Sequence, residues 1–208
     1  MENELTAHDP IASGNGIADA LVHQGLAASA AQDSASAIDL FSKACAAAPD
    51  AGITHFLLAS ELAHAGRWDA AESAFANAVL VAPDLAVARY QLGLLQFTSA
   101  RAALALVTWQ PLTLLPESSP FPHFVQGFAA LAHDDFGAAL THFEGGLRCP
   151  IDNEALRSDV IMLVERVRAA QAVATLSPAA DGAERDVSAE PVHDHFLLSN
   201  YTHRGRVH

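Results

Sequence analysis

Two places in the chain bring together side chains that could hold a transition metal. His193 and His195 form a His-x-His step near the end of the sequence, and His133, Asp134, Asp135 and His142 fall close together further back. Alternation in an extended segment turns both histidines of the step to one side and Asp194 to the other, so no cysteine or carboxylate completes a ligand shell there. The other group sits where a turn between two helices is expected, and such turns are commonly polar and solvated. Neither is expected to bind a metal. Cys45 and Cys149 are far apart, each without a second cysteine nearby, and form neither a zinc pair nor a disulfide framework. The glycines of Gly14-Asn15-Gly16 precede a helix but follow no strand, the context in which such glycines hold phosphate. No nucleophile stands beside a base. The expectation is a chain with no catalytic residues, no metal and no cofactor, and not an enzyme.

What remains is a surface that binds rather than reacts, and composition limits what it binds. The formal net charge is −13 although only 17% of residues are charged, an acidic field that repels phosphate backbones and anionic lipid. Nucleic acid is therefore not an expected partner. A hydrophobic content of 51% is ample for a sizeable core. The opening residues, MENELTAHDP, carry two Glu where a signal peptide needs positive charge. No apolar run approaches the roughly 18 residues of a membrane helix. The expected setting is the reducing cytoplasm, with no membrane insertion.

A fixed period organises the chain. Ala37, Phe41, Ala44 and Pro49 recur 34 residues on as Ala71, Phe75, Ala78 and Pro83. Ala105 and Trp109 continue the series, then Ala139 and Phe143, while Gly25, Gly93 and Gly127 share an early place that Ala59 takes in the second unit. A small residue early in the first helix, Ala and an aromatic in the second, and Pro at the close resemble the tetratricopeptide repeat. The resemblance covers about residues 18 to 151. It implies an all-α superhelical array of about four helix-turn-helix repeats within 17–151, namely 18–51, 52–85, 86–119 and 120–151, preceded by a flexible N-terminus, 1–16. Repeats three and four depart from the pattern. Leu112 and Gly146 stand where Ala44 and Ala78 stand earlier, Pro116 and Pro150 come one residue early, and Pro111 lies inside the predicted second helix of repeat three. Proline there removes a hydrogen bond and is expected to kink or shorten the helix.

Each helix pair leaves an apolar face that only its neighbour can cover. Residues 152–176 are read as a capping helix, with Leu156, Val160, Leu163, Val164 and Val167 as its apolar stripe and Asp152 or Asn153 as its N-cap. Residues 177–191, SPAADGAERDVSAEP, have linker composition. Residues 192–208 form a C-terminal linear motif in which Phe196, Leu197, Leu198 and Tyr201 are apolar anchors and Arg204 and Arg206 are charge contacts for a protein partner or for the chain's own groove.

In tetratricopeptide arrays the first helix of each pair lines the concave surface. The resemblance places Val22, Leu26, Ile53, Phe56, Val87, Tyr90, Leu94, Phe97, Phe121, Phe124, Phe128 and Leu131 on that inner face as a peptide-binding groove. None is basic or Asn, so the carboxylate grip of heat-shock adaptors is not expected. An apolar groove of this size is normally occupied, by a peptide, a helix or another subunit; the alternative is that the array closes inward and these residues are core. The expected function is a protein–protein interaction module, a cytoplasmic chaperone or assembly scaffold, with a likeness in architecture and composition to small bacterial secretion-system chaperones. The other reading is a self-assembling subunit, a homo-oligomer joined through its apolar face and contacting its copy near the irregular third repeat.

Overall fold

The computed structural model describes residues 10–176, with side chains from 16 to 175; the proposed linker and the C-terminal motif lie outside the described residues. These residues form helices without a strand: α1 Pro10–Ala30, α2 Ser34–Ala47, α3 Gly52–His64, α4 Trp68–Val81, α5 Ala86–Thr98, α6 Ala102–Trp109, a 3-10 helix Gln110–Leu114, α7 Pro120–Leu131, α8 Phe136–Leu147 and α9 Glu154–Leu176. The order is that of the all-α helix-turn-helix array expected from the period. Two compact units divide the chain, residues 1–92 and 93–208, the division falling inside α5. Helix α1 begins at Pro10, so part of the segment read as a flexible N-terminus is helical. Pro10 takes the first helical position, where its missing N–H leaves no bond unmade.

In the first unit α1 packs on α2, α3 on α4, and α2 on α3. The closest approach in the first pair is made by Gly25, where an added Cβ would lie 2.6 Å from the Phe41 ring. Phe41 and Ala37 beside it are buried, as are their period-mates Phe75 and Ala71 in the second pair, where Ala59 takes the glycine's place. The second unit repeats the arrangement. A Cβ at Gly93 would run into the Trp109 indole, and one at Gly127 would lie 2.6 Å from Phe143. Backbone meets aromatic ring there with no room for a methyl group.

The turn inside each helix pair repeats as faithfully as the core. Gln32, Gly66, Ala100 and Asp134, spaced one period apart, adopt φ of 62°, 72°, 58° and 58°. Each left-handed residue donates its N–H three residues back, and the next residue donates five back: Gly66 to Ala63 and Arg67 to Leu62, Ala100 to Phe97 and Arg101 to Gln96, with the same two bonds at Gln32 and Asp134. This is the Schellman closure of a helix, which satisfies otherwise orphan carbonyls. Only Gly66 is the residue that the conformation favours, because a Cβ in this region crowds the following carbonyl.

The following helices are capped unequally. Asp33 accepts from the Ser36 N–H at 3.1 Å and Asp135 from the Ala138 N–H at 2.9 Å, whereas Arg67 and Arg101 offer no side-chain cap. Hydrogen bonds from the Ser36 hydroxyl and N–H hold the Asp33 carboxyl below its ordinary pKa. Its stabilisation is therefore present above the ordinary carboxylate range and lost as pH falls through the lowered folded value.

Pro111 shortens the second helix of repeat three, as its chemistry requires. Helix α6 ends after 8 residues, against 14 in α2 and in α4, and the chain continues as the 3-10 helix. At the end of the described chain, α9 lies on α8 with Leu156, Val160, Leu163, Val164 and Val167 all buried. Asn153 is the residue that caps it, accepting from the Leu156 N–H at 3.0 Å. Arg168 bridges Glu144 on α8 at 2.6 Å and Glu165 at 2.5 Å, an exposed network that solvent screens and that adds little. Burial of the α9 stripe dominates that contact.

Two substitutions test this architecture. Gly127→Ala should lower unfolding stability by about 1–3 kcal/mol, because its methyl group forces the Phe143 ring aside. Ala100→Gly should raise it by roughly 0.5–1 kcal/mol, since relief of about 1–2 kcal/mol of left-handed strain exceeds the entropy that glycine adds to the unfolded chain. Urea unfolding followed by circular dichroism measures both.

Candidate functional site

The residues expected on the inner face separate into two groups. In the first unit Leu26 and Ile53 are 44% and 52% exposed, and Val22, Phe56 and Val87 are half-buried. In the second unit Leu94, Phe97 and Phe121 are half-buried. Tyr90, Phe124, Phe128 and Leu131 are core: Tyr90 is 2% exposed, Phe124 and Phe128 are 0% and Leu131 is 9%. At these four positions the register-based groove is corrected.

The cause is visible in the second unit. The Phe128 ring lies 4.9 Å from Trp109, 5.0 Å from Phe143 and 5.1 Å from Phe97, so it is the centre of an aromatic cluster. Phe97 stacks on Trp109 at 5.9 Å and is held by the same cluster. Phe124 fills the space that Gly146 leaves, where even a Cβ would collide with its ring. The departure from Ala at position 146 is thus a cavity shaped for Phe124. Leu112, the other departure, is itself buried.

In the first unit the exposed apolar residues stand on two helices that are tied together. Ser29 of α1 donates to Glu61 of α3 at 2.8 Å, and Ser34, the first residue of α2, donates to the other carboxylate oxygen at 2.6 Å. Glu61 is buried, and these two hydroxyls supply the partners that a buried carboxylate needs. Sequence reading passed over Glu61. Its signal was an acid where the period places Leu95 and Ala129 in the next two repeats. From residue 16 onward, α1 and α3 carry no Lys, Arg or Asn. Their exposed side chains offer apolar contact with little charge.

The residues considered for chemistry have structural duties. Asp134 takes the left-handed turn and Asp135 caps α8. Among the described residues no three His, Cys, Asp or Glu side chains converge as metal ligands. Burial pushes the Cys45 thiol up to about 11, so it stays protonated and unreactive at neutral pH. Among the described residues no helix is long and apolar enough to cross a membrane. His193 and His195, and the anchors Phe196, Leu197, Leu198, Tyr201, Arg204 and Arg206, lie outside the described residues.

No family model and no curated protein matches the chain. Solved structures do. A structure titled "Crystal structure of MamA" superposes with a TM-score of 0.54 at 18% identity, covering 62% of this chain and 76% of that one. The "MamA RS-1 ArsTM double mutant" gives 0.54 at 11% identity over 74% and 96%. The Sgt2 TPR domain from Aspergillus fumigatus gives 0.43 at 20% identity over 83% and 91%. For the two MamA structures, at these identities, the likeness concerns the fold.

Burial separates the two groups energetically. Phe128→Ala should cost about 3–5 kcal/mol of unfolding stability. Ile53→Ser should change it by no more than about 0.5 kcal/mol. Chemical denaturation of the two single variants checks the contrast.

Proposed function

From a tetratricopeptide-like helical array, we propose a protein–protein interaction module that takes an apolar peptide or helix on the α1–α3 face of its first unit. The observation that carries the reading is the exposure of Leu26 and Ile53 on two helices joined through Glu61, on a face without Lys, Arg or Asn. Single exposed apolar residues are ordinary, but these two stand on the side of the repeat that is left free once Gly25, Phe41, Ala59 and Phe75 have taken the core positions. Val22 and Phe56, half-buried on the same helices, extend the contact. Binding removes apolar surface from water at about 25 cal/mol per Å², from which the cost of ordering the ligand is subtracted. A preformed helix loses less entropy on binding than an extended chain, so amphipathic helices with Leu or Phe at helical spacing are the favoured ligands.

The module acts in the cytoplasm as a chaperone or assembly scaffold, without catalysis, and serves a bacterial secretion or envelope machine. Support for that setting is compositional: the net charge of −13, an Ala-rich chain and two cysteines that form no framework. The motif within residues 192–208 is a second docking element, separate from the α1–α3 face.

Apolar contacts depend little on ionic strength. A dye-labelled amphipathic peptide bearing Leu and Phe at helical spacing should bind equally at low and high salt. It should lose at least about tenfold in affinity to Leu26→Asp with Ile53→Asp, because an unpaired charge is forced into an apolar contact. Helical circular dichroism should be unchanged. Unaltered binding by that variant, or binding abolished by salt, would refute the site.

A further inference from the structure

The second helix of repeat three differs from the others on its solvent side. Leu104, Val107 and Leu114 are 44%, 71% and 82% exposed, and Pro111 between them is exposed as well. Their spacing puts them on one stripe along α6 and the 3-10 helix. The other repeats serve as an internal control. The place of Val107 is held by exposed Asp39, Ser73 and Thr141, and that of Pro111 by exposed Lys43 and Asn77 in the first two repeats. Asp39 and Lys43 form an ion pair at 2.6 Å. In repeat two the place of Leu114 is also apolar, Leu80 at 76% exposed, but Ser73 and Asn77 interrupt the stripe; only in repeat three is it apolar from end to end, and from Ala102 to Pro116 the chain has no charged residue.

We propose that this stripe is a contact between two copies of the chain, packed antiparallel across a two-fold axis. The first support is charge. At a net charge of −13 two copies repel, and repulsion is least where a run of residues is uncharged. The second is the order of residues along the stripe, which is symmetric about position 109. Exposed Arg101 and exposed Glu117 flank it at equal distance in sequence, Leu104 mirrors Leu114, and Val107 mirrors Pro111. Antiparallel pairing therefore sets Leu104 of one copy against Leu114 of the other and brings Arg101 to the Glu117 end at both edges, the self-complementarity that a two-fold contact demands. A parallel pairing would set Arg101 against Arg101.

Size makes the contact weak. Eight α-helical and five 3-10 residues span about 22 Å. A strip of that length on a helix about 10 Å across presents on the order of 200–400 Å² per copy, below the roughly 1,200 Å² total of a stable interface. The dimer is therefore concentration-dependent and exchanges rapidly.

Sedimentation velocity of the full chain over a dilution series should show a monomer–dimer equilibrium. Val107→Asp with Leu114→Asp should weaken it by about tenfold or more while leaving peptide binding at the α1–α3 face intact, which separates this contact from that site. Cross-linking in a Cys149→Ser background, with the Cys45 thiol buried, provides a readout that needs no disruptive charge. A short bismaleimide should join a Leu104→Cys chain to a Leu114→Cys chain in a mixture faster than it joins either to itself. A monomer at every concentration, a dimer equally strong in the Asp variant, or no preference for the mixed cross-link would overturn the proposal; the last two would assign the contact to another face.

Discussion

The contact between a small residue on the first helix and an aromatic ring on the second sets everything else in the described chain. At Gly25, Gly93 and Gly127 the backbone comes so close to Phe41, Trp109 and Phe143 that no methyl group would fit, and Ala59 with Phe75 is the one pair in which the small residue has a side chain. Such a contact fixes the distance between two helices and also their rotation, since only one face of the first helix carries the small residue. Once that face is committed, the stripe opposite it is fixed as the surface. The identity of a single buried position thereby decides which residues are left to meet a partner.

The turns obey the same period but at a cost that varies. All four adopt the left-handed conformation, yet only Gly66 adopts it without a side-chain penalty. Gln32, Ala100 and Asp134 are held there by the two backbone bonds of each closure and by the packing of the pair on either side. Tertiary geometry has overridden local preference at three of the four turns. It can do so because burying an aromatic side chain yields more than the roughly 1–2 kcal/mol that a left-handed residue costs.

Residue spacing made the helix pairs and their aromatics legible before any coordinates, because the packed positions at 37, 41, 71, 75, 105, 109, 139 and 143 are small or aromatic for a steric reason that the period displays. The α9 stripe was legible from Leu and Val at helical spacing, outside the period. The exposed surface was less so. Register gives the direction in which a side chain leaves its helix but not whether a neighbour covers it. Phe128 and Leu26 hold equivalent register positions, yet Phe128 is surrounded by Phe97, Trp109 and Phe143 whereas Leu26 is half in solvent. Helix α7 follows an earlier pair that supplies Trp109, and among the described residues no helix precedes α1. The left-handed turns were illegible because Gln and Ala do not announce them.

The two seams for which contacts are visible are built from different materials, and this difference bears on what each unit can do. In the second unit the seam between repeats is aromatic: Phe97, Trp109 and Phe128 pack within 6 Å of one another. In the first unit the corresponding seam contains Glu61 with Ser29 and Ser34, three side chains that must hold their geometry or leave a buried carboxylate unpaired. An aromatic seam tolerates small shifts because dispersion falls off gradually with distance. A hydrogen-bonded seam around a buried polar group does not, since losing one partner leaves that group unmatched. The polar seam therefore fixes α1 against α3 more narrowly than apolar packing alone would. Leu26 and Ile53 are carried on those two helices, so the spacing of the two apolar contacts offered to a ligand is set by a carboxylate that the ligand never touches.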